Sequence, residues 1–163
     1  MSGRAPTSGH HVVLDGRHSS LLTRSLADYR LSSEASYAAL LEESGAILID
    51  LPENRPECAE VIGALANGAF IAVQELSKRL GDTACEGLFH QGRSRHFCLS
   101  PLTPTVFLLT VFGNETRLGI VRSALSRFAP LLREQLDEAF ATSVTEPMEE
   151  GDIVLENFSL GPL

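Results

Sequence analysis

One stretch constrains this chain more than any other: "ECAEVIGALANGAFIAVQELSKRL", residues 57–80. Pro56 suits the first turn of a helix here, and Gly81 suits its C-terminal end. Ile62, Leu65, Ala69, Val73, Leu76 and Leu80 recur at steps of three and four, a stripe expected to face a core. Val61, Ala64, Gly68, Ile71 and Ala72 run along the opposite side. A surface helix should be polar there, yet this side is small and apolar, and small residues let another helix come close. The helix therefore needs cover on two sides. With few other elements available in one chain, a subunit interface is the favoured cover.

The flanking elements follow from periodicity and turn chemistry. Ser19 or Ser20 reads as the cap of a first helix, with Leu22, Leu26 and Tyr29 at helical spacing and a stop near Ser32 and Ser33. In "SYAALLEESGAILIDLP" two short apolar runs flank Glu43-Ser44-Gly45, and Pro52 closes the second. That pattern predicts a hairpin whose turn uses Gly45. Three strand-like runs follow over 85–91, 95–99 and 105–113. The last is almost continuously apolar, as a central strand would be. Asn114 or Thr116 should cap a final helix over 117–140, with Ile120, Ala124, Phe128, Leu131 and Leu132 on one side. Pro130 predicts a kink or break in it. The order helix, two strands, helix, three strands, helix implies one α/β domain, an antiparallel sheet covered by helices.

Charge is distributed unevenly. The formal net charge is −8, but all 13 Lys and Arg lie at or before Arg133. Beyond that point, acids from Glu134 to Glu156 meet no basic residue. A neutral body with an acidic end argues against a phosphate-binding surface, so no nucleic-acid partner is expected. Residues 1–16, rich in Gly, Ser, Pro and His, are expected to be mobile; 17–141 form the domain; 142–163 form an acidic tail whose docking candidate is "IVLENF". The start does not resemble a signal peptide, and no run approaches the ~20 apolar residues of a membrane span. With three cysteines and no close pair, a reduced, cytoplasmic setting without membrane insertion is the expectation.

"EGLFHQGRSRHFCLS", residues 86–100, raises the one question of chemistry. If Gly92, Arg93 and Ser94 form the turn, His90 opposes His96 and Cys98 shares their face, giving three metal ligands. A turn shorter by one residue sets Phe89 against His96 or Cys98 and disperses them. Zinc-bound histidines also need partners for their second nitrogens, and Glu86 is the one carboxylate nearby. Cys98 and His96 as a nucleophile pair would be held apart along a strand, with no third orienting group. Glu42 and Glu43 fall at a turn, where solvation is the ordinary role. No GxxxxGK[ST] loop or post-strand GxGxxG occurs, and Lys78 is the single lysine. These observations predict no catalytic residues, no cofactor and no metal, which shifts attention to surfaces.

"AALLEESGAILIDL", "ALANGAFIAVQELSKRLGD", "FHQGRSRHFCL", "TVFLLTVFG" and "RLGIVRSAL", in this order and spacing, resemble the Roadblock (dynein light-chain) family, in particular its bacterial, MglB-like branch. The resemblance covers about residues 19–140. It implies a Roadblock/profilin-like α-β-α sandwich with a five-stranded antiparallel sheet and helices on both faces. It also implies a homodimer joined through an edge strand over 85–91 and through paired second helices. The interface positions would be Val61, Ala64, Gly68, Ile71, Ala72, Glu75, Leu88 and Phe89. The function implied is binding of a Ras-like small GTPase and modulation of its nucleotide cycle, of GTPase-activating type and without a lent arginine, in motility or polarity. The alternative is a scaffold subunit with no effect on GTP hydrolysis. The loop "PENRPE" departs from the family's glycine hairpin, and the tail beyond 142 has no clear counterpart.

Overall fold

The structure, a computed structural model, describes residues 14–143. Most of the start expected to be mobile, and the acidic tail with its "IVLENF" run, lie outside the described residues. The elements are α1 (Gly16–Ser32), β1 (Tyr37–Glu42), β2 (Ile47–Asp50), a 3-10 turn (Pro52–Asn54), α2 (Ala59–Arg79), β3 (Leu88–Gln91), β4 (Arg95–Pro101), β5 (Val106–Gly113) and α3 (Leu118–Ser143). The strands form one antiparallel sheet in the order β2-β1-β5-β4-β3. β5 lies at its centre, as its apolar run requires, and β2 and β3 are the edges. Helices cover both faces, so the architecture is the expected α-β-α sandwich.

Alternation along β5 divides the core. Val106 and Leu108 join Leu22, Leu26, Tyr29, Leu132 and Leu136 beneath α1 and α3. Phe107 and Leu109 point the other way and join Ala59, Ala66 and Phe70 of α2. A one-residue slip of β5 would exchange the two sets, so its register with β1, Leu40 opposite Leu108, is fixed by both layers at once.

Several boundaries differ from expectation for identifiable reasons. α1 is capped by Asp15, whose Oδ1 accepts from the His18 backbone N–H at 2.8 Å, not by Ser19 or Ser20. Ser20 instead turns its hydroxyl back to the Gly16 carbonyl at 2.8 Å. Pro56 lies before α2 rather than in it; Cys58 is the N-cap and Gly81 follows the C-cap Leu80 with φ +86°. β3 is shorter than the apolar run from Cys85 suggested, and β4 extends to Pro101. Neither Asn114 nor Thr116 caps α3: the Thr116 hydroxyl donates to the Glu34 carbonyl at 3.0 Å, tying the last turn to the end of α1. α3 also runs unbroken through Pro130. Pro130 and Ser126 are on the exposed side, so the carbonyl that loses its donor faces water.

Candidate functional site

α2 sits on the sheet through residues the apolar stripe did not select. Ala59, Gly63, Ala66 and Phe70 are its buried positions. The expected inward stripe is rotated outward: Ile62, Ala69 and Val73 are half-buried, while Leu65 is 68% exposed, Leu76 55% and Leu80 78%. The cause is the close approach at Gly63. A Cβ there would stand 2.5 Å from the Gly45 carbonyl oxygen, and one at Gly45, with φ +86°, 2.8 Å from the Ala64 Cα. Two glycines thus let helix and hairpin turn meet backbone to backbone. Asn67 fastens the same corner by donating from Nδ2 to the Glu43 carbonyl at 2.5 Å. Phe70 then fills the sheet face, its ring 4.7 Å from that of Phe107.

The start of α2 is held by a polar chain. The Tyr37 hydroxyl donates to Asp50 Oδ2 at 3.0 Å, and Arg55 reaches Asp50 Oδ2 at 3.1 Å and the Glu60 carboxylate. Burial, with the Asp50 carboxylate beside it, pushes the Tyr37 hydroxyl well above the usual phenol range. The "PENRPE" departure is therefore a 3-10 turn whose Arg55 pins β2 to the first turn of α2.

Opposite the sheet, the outer side of α2 has no cover among the described residues. Val61 is 57% exposed and Ile71 53%, and Ala64, Gly68, Ala72 and Glu75 are exposed or half-exposed beside them. Nothing lies within 4 Å of a Cβ built on Gly68. With Leu65 and Leu76 added, which the sequence stripe assigns to the core, the face is broader than expected. At 21 residues α2 is even long and apolar enough, by length and composition, to match a membrane span, contrary to the expectation from sequence. Its inner side is nevertheless docked on the sheet, and Lys78 and Arg79 end it.

Leu88 and Phe89 lie on β3, the edge strand. Leu88 opposes Leu99 and packs with the α2-side cluster. Phe89 opposes Cys98 and stacks on Phe112, ring centroids 6.2 Å apart, on the α1/α3 side. The eight expected interface positions thus divide into six on the open α2 face and two on opposite sides of one edge strand. Between α2 and the outer strands an apolar groove of about 710 Å³ runs past Ile62, Leu65, Ala69, Phe97 and Val111, joining the helix face to β3.

The histidine question is decided by register. Gln91, not His90, opposes His96, and His90 opposes Phe97, with which it stacks at 4.9 Å between centroids. The tighter turn holds, so His90 lies on the α2 side while His96 and Cys98 lie on the other. His96 Nε2 is 2.8 Å from Asn114 Oδ1, and Asn114 Nδ2 donates to the Arg93 carbonyl at 3.0 Å. This assigns the ring a job of tying the β3–β4 turn to the β5–α3 turn. Burial pushes the Cys98 thiol up to about 11, with Arg122 acting in the opposite sense. Among the described residues no three His, Cys, Asp or Glu side chains gather as metal ligands.

No profile of a known protein family and no curated protein sequence matches the chain. Solved structures do. The gliding protein MglB of Thermus thermophilus is 25% identical with a TM-score of 0.72, over 78% of this chain and 97% of that one. An MglB in a tetrameric arrangement gives 24% and 0.72, over 78% and 96%. A Roadblock/LC7 domain from Streptomyces avermitilis, at 17% identity, has a TM-score of 0.64 over 71% and 97%.

Proposed function

We propose that this chain, a Roadblock-fold protein of the MglB-like kind, is a non-catalytic regulator that self-associates and binds a Ras-like small GTPase to modulate its nucleotide cycle. The observation that carries the reading is the uncovered apolar outer face of α2, continuous through a groove with the β3 edge. One similar structure is an MglB in a tetrameric arrangement and another is a gliding protein, which supports self-association and a role in motility or polarity. The cytoplasm is the proposed location, and no membrane insertion is part of the proposal.

The physical logic needs no active site here. GTP hydrolysis depends on how water, Mg²⁺ and charge-stabilising groups are placed within the GTPase itself. A surface that binds the hydrolysis-competent arrangement more tightly than the open one shifts the population by that difference in affinity, and by no more. A paired α2 layer would supply a rigid platform for this. Strand addition at β3 would also cover an edge whose "LFHQ" carries neither proline nor lysine to deter stray pairing.

The test is affinity purification from the native lysate with a non-hydrolysable GTP analogue or GDP added in parallel. Enrichment of a Ras-like GTPase in the analogue sample, followed by a hydrolysis rate that changes on adding this protein, is the expected result. A stable complex with an unchanged rate would leave a scaffold subunit. Partners indifferent to nucleotide, with no GTPase among them, would sink the proposal.

A further inference from the structure

On the side of the sheet away from α2, α3 covers β5 but leaves β3 and β4 open. A groove of about 480 Å³ results, walled by Leu118, Val121, Arg122 and Leu125 of α3 and by Phe89 and Cys98 of the sheet. Phe89, Leu88 and Leu99 give its floor an apolar part beside Cys98 and Ser100, and Arg122 is the one cation among the α3 residues that line it. From Leu118 to Arg133, α3 carries Arg122, Arg127 and Arg133 and no carboxylate. Arg117, just before the helix, and Arg122 enter none of the ion pairs among the described residues. Arg127 lies over the Phe128 ring at 5.4 Å, and Arg133 donates to the Leu102 carbonyl at 2.9 Å. Glu86 is the one acidic residue lining the groove.

The rest of the chain has the complementary composition. Residues 144–163 contain Glu146, Glu149, Glu150, Asp152 and Glu156, no Lys or Arg, and the apolar run Ile153-Val154-Leu155 followed by Phe158. The reach also matches. Arg122 lies about 30 Å back along the helix from Ser143 at ~1.5 Å per residue. Ten extended residues span roughly 33–36 Å. A segment returning along α3 therefore arrives at Arg122 with Ile153, and has Glu156 abreast of Arg117. The groove on the α2 side is the poorer host, because α3 leaves the domain on the opposite face of the sheet.

We propose that residues 144–163 of this chain fold back along α3 and seat the apolar run 153–158 in the α3–β3 groove, their carboxylates set against the α3 arginines. The strap covers Phe89 and so masks one side of the edge strand. It is independent of what binds the outer face of α2.

Cys98 lines the groove and Cys58 is exposed at the start of α2, so the native thiols report on the strap with an internal control. Alkylation by iodoacetamide, read site by site by mass spectrometry, is compared between the full chain and a chain ending at Ser143. The expected result is Cys98 reacting at least tenfold more slowly in the full chain, with Cys58 equal in the two. A synthetic peptide of residues 144–163 added to the shortened chain should restore protection. A full chain with the five tail carboxylates changed to amides should react at Cys98 like the shortened one. Equal Cys98 rates in the full and shortened chains overturn the proposal. So does protection that grows with protein concentration, which would assign the segment to a second copy.

Discussion

At Gly63 the helix backbone comes so near the first hairpin that any side chain must move one of them. Gly63→Ala is therefore expected to destabilise the fold by about 1–3 kcal/mol, the usual range for forcing a methyl into packed backbone. Urea unfolding should show a lower midpoint at an unchanged slope. Tyr29 makes a second residue-scale prediction. Its hydroxyl is buried, lies 2.7 Å from Thr110 Oγ1, and is pushed up to about 12. In the unfolded chain it ionises near pH 10. Between about pH 10 and 12 the unfolded state therefore holds fewer protons than the folded one, and stability falls as pH rises. The contribution is whole below pH 10 and lost through pH 12. Tyr29→Phe should flatten that part of a stability–pH curve without abolishing its slope, because Tyr37 and Cys98 are shifted the same way, chiefly by burial. Neither contact could be read from the chain, because Gly45 and Gly63, like Tyr29 and Thr110, meet only through tertiary packing.

The elements themselves were largely legible. A nearly all-apolar β5 belonged at the centre of a sheet, and Glu43-Ser44-Gly45 belonged at a turn, because period and turn chemistry are local. The rotation of α2 was not. Its apolar residues go nearly all the way round, so periodicity fixes no inward direction, and the Gly63–Gly45 contact chose it. That rotation put Leu65 and Leu76 on the surface and left the face with Val61, Gly68 and Ile71 open in the single chain. Gly68 separates two roles for this face. Within an exposed helix interior Gly→Ala adds roughly 0.5–1 kcal/mol of stability. If a second helix approaches there, the added methyl opposes it. Gly68→Ala should therefore raise the melting temperature of dilute protein while weakening self-association measured by sedimentation. An unchanged association constant would remove Gly68 from the contact.

For the whole molecule, the expected state at micromolar concentration is a dimer or larger. Ile71→Glu, which puts a charge on the open face without touching the core, should reduce it to a monomer of unchanged circular dichroism. A wild-type chain that sediments as a strict monomer at that concentration would remove the platform from the proposed function. The order of the strands carries a different consequence. β1 reaches its inner neighbour only when Tyr37 meets Val111, about 70 positions later in the chain. A ribosome adding 5–20 residues per second takes roughly 4–14 s over that interval. Throughout it the first hairpin has a bare inner edge, and the floor beneath α1 lacks Val106 and Leu108. The first hairpin thus spends seconds as a two-stranded unit without its central partner, an arrangement marginal in water at best. The protein's yield in the cell should depend on translation speed and chaperone supply more steeply than its finished stability suggests.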